Sequence, residues 1–352
     1  MYTKNIFGVK SMALWTRVET IQFSGIAIVE VLLYIWSDKI LQIPFTPVAL
    51  VGTAVAFIIG FQSNAAYGRI WEGRQIWGSI VNSSRAFGVM VQDFINNEQT
   101  NNPLSEAELK QEIKTITYRH IAWLTALRYA MRQHRAWETV MEEKTNKEWA
   151  HMIYVPEFHI SFDEAIKGYL SAEELEYIKS KDNKQTAVLY LQSHHLRKLK
   201  DRGVLWAFSF LKLEGLIEEL LGHQGKSERI KNFPYPRQFA SLLHYFTWIF
   251  IFILPIAIVD QFSTIGDKFH DQIPGIGHWF IWMSVPFSVV VMWVFHTMNR
   301  IGRVGENPFE GSVNDVPIST IARGIEIDLR QNLGEDVTSI PKQFEARNDT
   351  QM

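Results

Sequence analysis

The chain contains no cysteine in 352 residues. Disulfides, thiol catalysis and cysteine-ligated zinc or iron–sulfur centres are therefore excluded. It has no long basic run or stripe, and its formal net charge is −2, so nothing in its charge points to nucleic acid. No glycine-rich phosphate loop is present; Gly222-His223-Gln224-Gly225 reads instead as the C-terminal end of a helix. His120, His134, His151, His159, His194 and His195 follow no His-Glu-x-x-His pattern, and solvated helix faces explain them better than metal ligation does. Acidic residues are plentiful in 138–182, yet no two are marked as an acid/base pair. These absences argue against an enzyme, and no metal or cofactor is expected. Strand alternation, internal repeats and low-complexity tracts are missing as well.

Charge itself is missing in places. Mean hydropathy is about neutral and 20% of residues are charged, but charges are nearly absent from 21–36, 40–68, 240–259 and 273–299 and dense across 92–238. Such an average conceals a membrane bundle joined to a polar helical part. About 20 apolar residues cover the roughly 30 Å hydrocarbon core, so 40–68 has length to spare for tilt and for continuation beyond the membrane. Ile21–Trp36 is the weakest crossing because Glu30 lies inside it, and Trp15 and Trp36 flank it as interfacial aromatics would. Only Ser37, Asp38 and Lys39 separate it from Ile40–Gly68, which implies a tight hairpin. Ala240–Val259 opens after Pro234 and Pro236, and Ile273–Asn299 contains Pro286.

Four crossings put both termini on one side. Lys4, Lys10, Arg17, Arg69, Arg74, Arg85, Arg229, Lys231, Arg237, Arg300 and Arg303 fall on that shared side, whereas the opposite loops offer Lys39 and Lys268. By the positive-inside bias the termini and 92–238 are cytoplasmic, in a multi-pass protein of the cell's inner (plasma) membrane. Asp260, Asp267 and Asp271 then face outward. The N-terminal stretch has no small-residue cleavage site after a short apolar core and does not read as a signal peptide. The domain plan is 1–91, with the first two crossings and an inner extension; 92–238, cytosolic and helical; 239–303, the last two crossings; and 304–352, a cytosolic C-terminal segment.

Within 92–238, Pro103 is followed by Leu104, Leu109, Ile113, Ile116 and Ile121 at helical spacing, and Ser171 with Glu174 makes a capping box. Asn183–Lys200 and Val204–Leu221 are two further helices divided by Gly203. Tyr154–Phe162 is the least regular piece, and the tail from Pro341 is expected to be mobile.

In the second crossing, small residues such as Gly52, Gly60, Ala54 and Ala66 allow close helix approach, while Thr53, Phe57 and Phe61 recur every four positions along one face. One face packs and another is lined. An aromatic row of this kind is more often buried core than anything else, and Glu30 is equally readable as functional or as a partner within the bundle.

The run Gly60-Phe61-Gln62-Ser63-Asn64-Ala65-Ala66-Tyr67-Gly68-Arg69-Ile70-Trp71-Glu72-Gly73-Arg74, with Trp77-Gly78 and Asn82-Ser83-Ser84-Arg85, resembles the signature of bestrophin-family ion channels. Glu228-Arg229-Ile230-Lys231-Asn232 through Pro234, Pro236 and Leu254-Pro255 is similar to that family's approach to its third crossing. Asn307-Pro308-Phe309-Glu310, Asn314-Asp315-Val316-Pro317-Ile318 and Arg323-Gly324-Ile325-Glu326-Ile327-Asp328-Leu329 resemble its segment after the fourth. The resemblance implies an all-α membrane protein with four transmembrane helices per subunit and a large cytosolic helical domain. It further implies a homopentamer around a central pore through the lipid bilayer.

In the family the neck of that pore is lined by three apolar residues spaced by four, here Thr53, Phe57 and Phe61. Thr53 stands where an aliphatic residue is usual, and Ile70 and Gly73 where Trp and Ala are common, so the outermost ring is expected to be wetter. A second, cytosolic aperture aligns near Phe208, with Leu205 and Leu211 on the same helical face. Arg69, Trp71, Glu72, Arg74, Trp77 and Arg85 make the motif below the neck: Trp71 and Trp77 are expected to pack it, and Arg69 to anchor the membrane surface, pair with Glu72 or draw anions inward. Animal members carry an acidic run after Asn-Pro-Phe that supplies oxygen ligands to calcium. Here Glu310-Gly311-Ser312-Val313-Asn314-Asp315 is too sparse for that, and no calcium gating is expected.

The implied activity is passive flow of small monovalent, chloride-like anions through an apolar constriction. A monovalent cation channel of the same architecture, a membrane-anchored scaffold without conductance and an alternating-access carrier are the alternatives. Inverted repeats and broken midplane helices, which mark many carriers, are not visible.

Overall fold

The computed structural model describes residues 1–142, 144–270 and 277–352, together with the side chains of all of these except 269, 270, 277 and 278. Among them the secondary structure is helical, apart from three isolated bridges. In chain order the helices are α1 (Val9–Trp15), α2 (Arg17–Trp36), α3 (Phe45–Phe94), α4 (Glu106–Arg132), α5 (Lys144–Met152), α6 (Pro156–His159), α7 (Phe162–Ile166) and α8 (Ala172–Lys179). They continue with α9 (Lys184–Asp201), α10 (Ala207–Asn232), α11 (Arg237–His270), α12 (Gly277–Phe280), a 3₁₀ turn at Ile281–Met283, α13 (Ser284–Gly305) and α14 (Ile318–Asn332).

Among the described residues four helices are long and apolar enough to cross a membrane: Arg17–Trp36, Phe45–Phe94, Arg237–Lys268 and Ile281–Gly305. Their shared core holds Phe23 and Ala27 of α2, Val48, Val55 and Ile59 of α3, Phe250, Ile251 and Leu254 of α11, and Met292 of α13. The approach of α3 to α11 depends on Gly52, where an added Cβ would lie 2.6 Å from the Phe250 ring. A second core outside the crossings gathers Trp77, Ile80, Phe87 and Val91 of α3 with Trp123, Leu127, Leu196, Leu220 and Ile325 from α4, α9, α10 and α14. The 50 residues of α3, about 75 Å at 1.5 Å rise, therefore belong to both cores.

The structure corrects several boundaries. Residues 40–44 are not part of the second crossing: Asp38 and Lys39 take φ of 52° and 66°, the chain runs to Pro44, and the helix begins at Phe45. The cause is Pro44, which disfavours helix in the residue before it; the tight hairpin becomes a longer connector. Asp267 pairs with Lys39 at 2.7 Å and Asp260 accepts from the Tyr34 hydroxyl at 3.0 Å, so both acids sit at the connector's end of the bundle. Asp271 and Ile273 lie outside the described residues.

Helix α10 starts at Ala207, and Gly222 and Gly225 do not end it. Leu213, Leu216, Ile217, Leu220, His223, Gln224, Ser227 and Ile230 keep one face continuously buried, and that burial outweighs the roughly 1 kcal/mol each glycine costs in a helix. The capping box at Ser171–Glu174 is present, and a second at Ser105–Glu108 opens α4. The tail is tied down rather than loose: Met352 is buried with Ile153 and Val155, and its carbonyl accepts from Thr320 N–H at 2.7 Å. His120 is no solvated residue either. It is buried against Phe87, rings 4.9 Å apart, and burial pushes its imidazole down to about 3.

The turn from α9 into α10 requires Gly203, at φ +74° with an added Cβ only 2.7 Å from the Gln99 carbonyl oxygen. Gly203→Ala should lower the unfolding free energy by about 1–3 kcal/mol, read as a drop in Tm of the detergent-solubilised protein; an unchanged Tm would mean that the turn relaxes at no cost.

Candidate functional site

Helix α3 has two faces along its apolar half. Val48, Gly52, Val55, Ile59, Gln62 and Ala66 are buried, at the 3–4 residue spacing of a packed stripe. Opposite them Thr53 is exposed, Phe57 is 67% exposed and Phe61 61%. The two rings meet edge to face, 4.6 Å apart at 85°. The Thr53 hydroxyl donates to the Ala49 carbonyl at 2.9 Å. Two uncovered phenylalanines in one row form the kind of apolar patch that a folded chain leaves for something outside itself. The same face continues through Asn64, Tyr67, Trp71 and Arg74, all exposed.

The motif residues below this face divide by role. Trp77 is fully buried, 6.5 Å from Phe309. Trp71, expected to pack, is instead 51% exposed and stacked on Tyr67 at 6.3 Å, because its helical position points away from both cores. Arg69 does not hydrogen-bond Glu72. It donates to the carbonyls of Glu306 (2.6 Å), Ile230 (3.0 Å) and Phe233 (2.7 Å), which lie at the C-terminal ends of α13 and α10, where the helix dipole is negative. Glu72 pairs with Arg229, and Arg85 with Asp328 at 2.6 Å. Arg74 has no acidic partner among the described residues, and its guanidinium lies over Gly78, 3.3 Å from where a Cβ would sit. Glu30 is half-buried, also without an ion-pair partner there.

At the start of α10, Phe208 and Leu211 are 66% and 64% exposed. Leu205 does not share their face. It precedes the helix, pairs with Ile95 in a bridge and is buried in the core.

Sequence reasoning missed the polar junction beside Arg69. Gln62 Nε2 donates to Glu306 Oε1 at 2.5 Å inside the protein, with Arg237 3.9 Å from the other carboxylate oxygen. A glutamine within an apolar helix was the available signal, since a buried amide needs a partner.

The Asn-Pro-Phe loop is held by its own acids. Asp315 accepts from the backbone N–H of Phe309, Gly311 and Val316, each at 2.7 Å, and from Arg132 at 2.7 Å. Its oxygens are engaged in keeping Phe309 at φ 74°. Glu310 accepts from Val140 N–H at 3.2 Å; burial, then Glu138 and Asp315, push its carboxyl up to about 8. No cluster of three or more potential metal ligands occurs among the described residues.

A carboxyl whose folded pKa lies above its ordinary 4.5 keeps its proton in the native state where the unfolded chain has released it. Rising pH then favours unfolding across that interval and no further. Glu310→Gln should accordingly widen its Tm advantage over the parent between about pH 5 and 8 and hold it constant above, in paired melts across pH; a pH-independent gap would overturn this. Added calcium should leave conductance unchanged, checked with and without chelator.

A family model described as Bacterial/Fungal Bestrophin protein matches residues 10–331. The chain is 25% identical over 293 residues to the voltage-dependent anion channel-forming protein YneE of Escherichia coli K12, covering 83% of this chain and 78% of that one. It is 24% identical over 307 residues to the voltage-dependent anion channel-forming protein sll1024 of Synechocystis, covering 87% and 81%. Among solved structures, a bacterial bestrophin homolog from Klebsiella pneumoniae superposes with a TM-score of 0.70 at 18% identity, over 90% of this chain and 98% of that one. With the family model matching residues 10–331 and four membrane-length helices among the described residues, the chain belongs to the bacterial and fungal bestrophin family.

Proposed function

We propose that this protein is a homopentameric channel that conducts small monovalent anions passively across the cell's inner membrane, with both termini cytoplasmic. The observation that carries the reading is the uncovered face of α3. Thr53, Phe57 and Phe61 are exposed on a helix whose opposite face is packed, and five such faces around one axis form a neck. The names of the two relatives as anion channel-forming proteins support the ion's sign.

Five rings each of Phe57 and Phe61 dewet when they close and bar ions without a charged gate. The positive edge of an aromatic ring favours an anion over a cation at the axis. Thr53 directs its hydroxyl to its own backbone, so its methyl group is free to join the apolar lining. Phe208 and Leu211, exposed at the start of α10, form the second constriction in this reading, without Leu205. Arg69 positions helices, whereas Arg74, exposed and without an acidic partner among the described residues, raises anion concentration on the inner side.

In planar bilayers under a KCl gradient the current should reverse near the chloride equilibrium potential, and Phe57→Ala should increase the open current. A reversal near potassium's potential would replace the anion by a cation, and silence of both proteins would favour the scaffold. Arg74→Gln should lower conductance at low salt by about two- to threefold and converge with the parent at 1 M, where the Debye length is about 3 Å; equal conductance at low salt would remove Arg74 from the conduction path.

A further inference from the structure

On the side of the bundle that carries the extramembrane domain, residues of α2, α5, α11 and α13 line an open cleft. Its floor is aromatic. Trp248 lies between two histidines, 5.6 Å from the His296 ring and 6.4 Å from that of His244, and His296 also meets the Phe23 ring at 5.4 Å. Its rim is polar. Two acids line it, each already held by an arginine: Glu19 by Arg300 at 3.0 Å and Glu142 by Arg303 at 2.6 Å. Lys144 adds an exposed cation, one turn from Glu148 but with no carboxylate at ion-pair distance among the described residues, and neither His244 nor His296 has a hydrogen-bond partner there. The cleft therefore presents one exposed lysine and two imidazoles without hydrogen-bond partners among the described residues above an aromatic base.

Its depth in the bundle matters. Arg17, Arg237 and Arg300 mark the ends of the membrane helices, and His296 is one turn inside Arg300. The neighbouring surfaces of α2 and α11 are apolar and uncovered: Ile21 is 72% exposed, Ile249 52% and Phe252 51%. Tryptophan and histidine at the headgroup level, with lysine and arginine just above, make the chemistry that recognises a charged lipid surface.

The geometry points to a binding site for the phosphate headgroup of an anionic phospholipid, held by Lys144, His244 and His296 with the acyl chains on Ile21 and Ile249. None of the residues that line it belongs to α3.

The test uses the whole protein in neutral-detergent micelles, melted while titrating in phosphatidylglycerol, phosphatidylcholine or inorganic phosphate. Phosphatidylglycerol should raise Tm saturably. Lys144→Glu, at an exposed position, should raise its half-saturating concentration about thirtyfold, since each unit charge near a lipid surface contributes roughly 1 kcal/mol and the reversal changes two, while the distant Lys226→Glu should not move it. The proposal falls if Lys144→Glu titrates like the parent, if phosphatidylcholine stabilises equally, or if inorganic phosphate alone reproduces the shift, which would make the ligand a soluble anion.

Discussion

One helix serves two cores, and the rest of the protein is arranged around that constraint. The first half of α3 packs Val48, Val55 and Ile59 against the other membrane helices, and the second half packs Trp77, Ile80 and Phe87 against the extramembrane helices. Because both cores grip the same rod, neither can turn about its axis without disturbing the other. The face left over is fixed by subtraction. A side chain at Phe57 or Phe61 is uncovered because positions 55, 59 and 62 are not.

Where the two cores meet, apolar packing is replaced by charge-assisted hydrogen bonds. Arg69 gathers three carbonyls from the ends of α10 and α13, Gln62 reaches Glu306, and Arg300 hydrogen-bonds Trp15 O and Asn146 across to α5. Such bonds are stronger than neutral ones and directional, which suits a junction where helices leave the hydrocarbon and turn. Asp315 does the same for the Asn-Pro-Phe loop, tying it to Arg132 of α4. The family's most recognisable motifs are thus mostly joints of the scaffold. Charged motif residues that look functional on paper, Arg69 above all, are engaged in holding it.

Much of this was legible beforehand. Long runs nearly free of charge located the four membrane-length helices found among the described residues, since excluding charge over such a length is a strong signal. The Ser171 capping box and the division at Gly203 were readable because their chemistry is local. Helix ends set by packing were not: the glycines at 222 and 225 look like a stop, and only the burial of Ser227 and Ile230 beyond them carries α10 onward. His120 and Met352 were misread for a related reason, since polarity or a terminal position says nothing about what folds over a residue.

The candidate site divides along the same line. The spacing of Thr53, Phe57 and Phe61 is a property of the chain, because an α-helix repeats every 3.6 residues wherever it sits; so are the four apolar segments and the absence of thiols. Which side of that helix is covered, that Arg69 rather than Arg74 is engaged, and that Leu205 is buried while Phe208 is exposed were decided by tertiary structure. Periodicity defines a face, but only neighbours distant in sequence determine whether it meets a core or is left open.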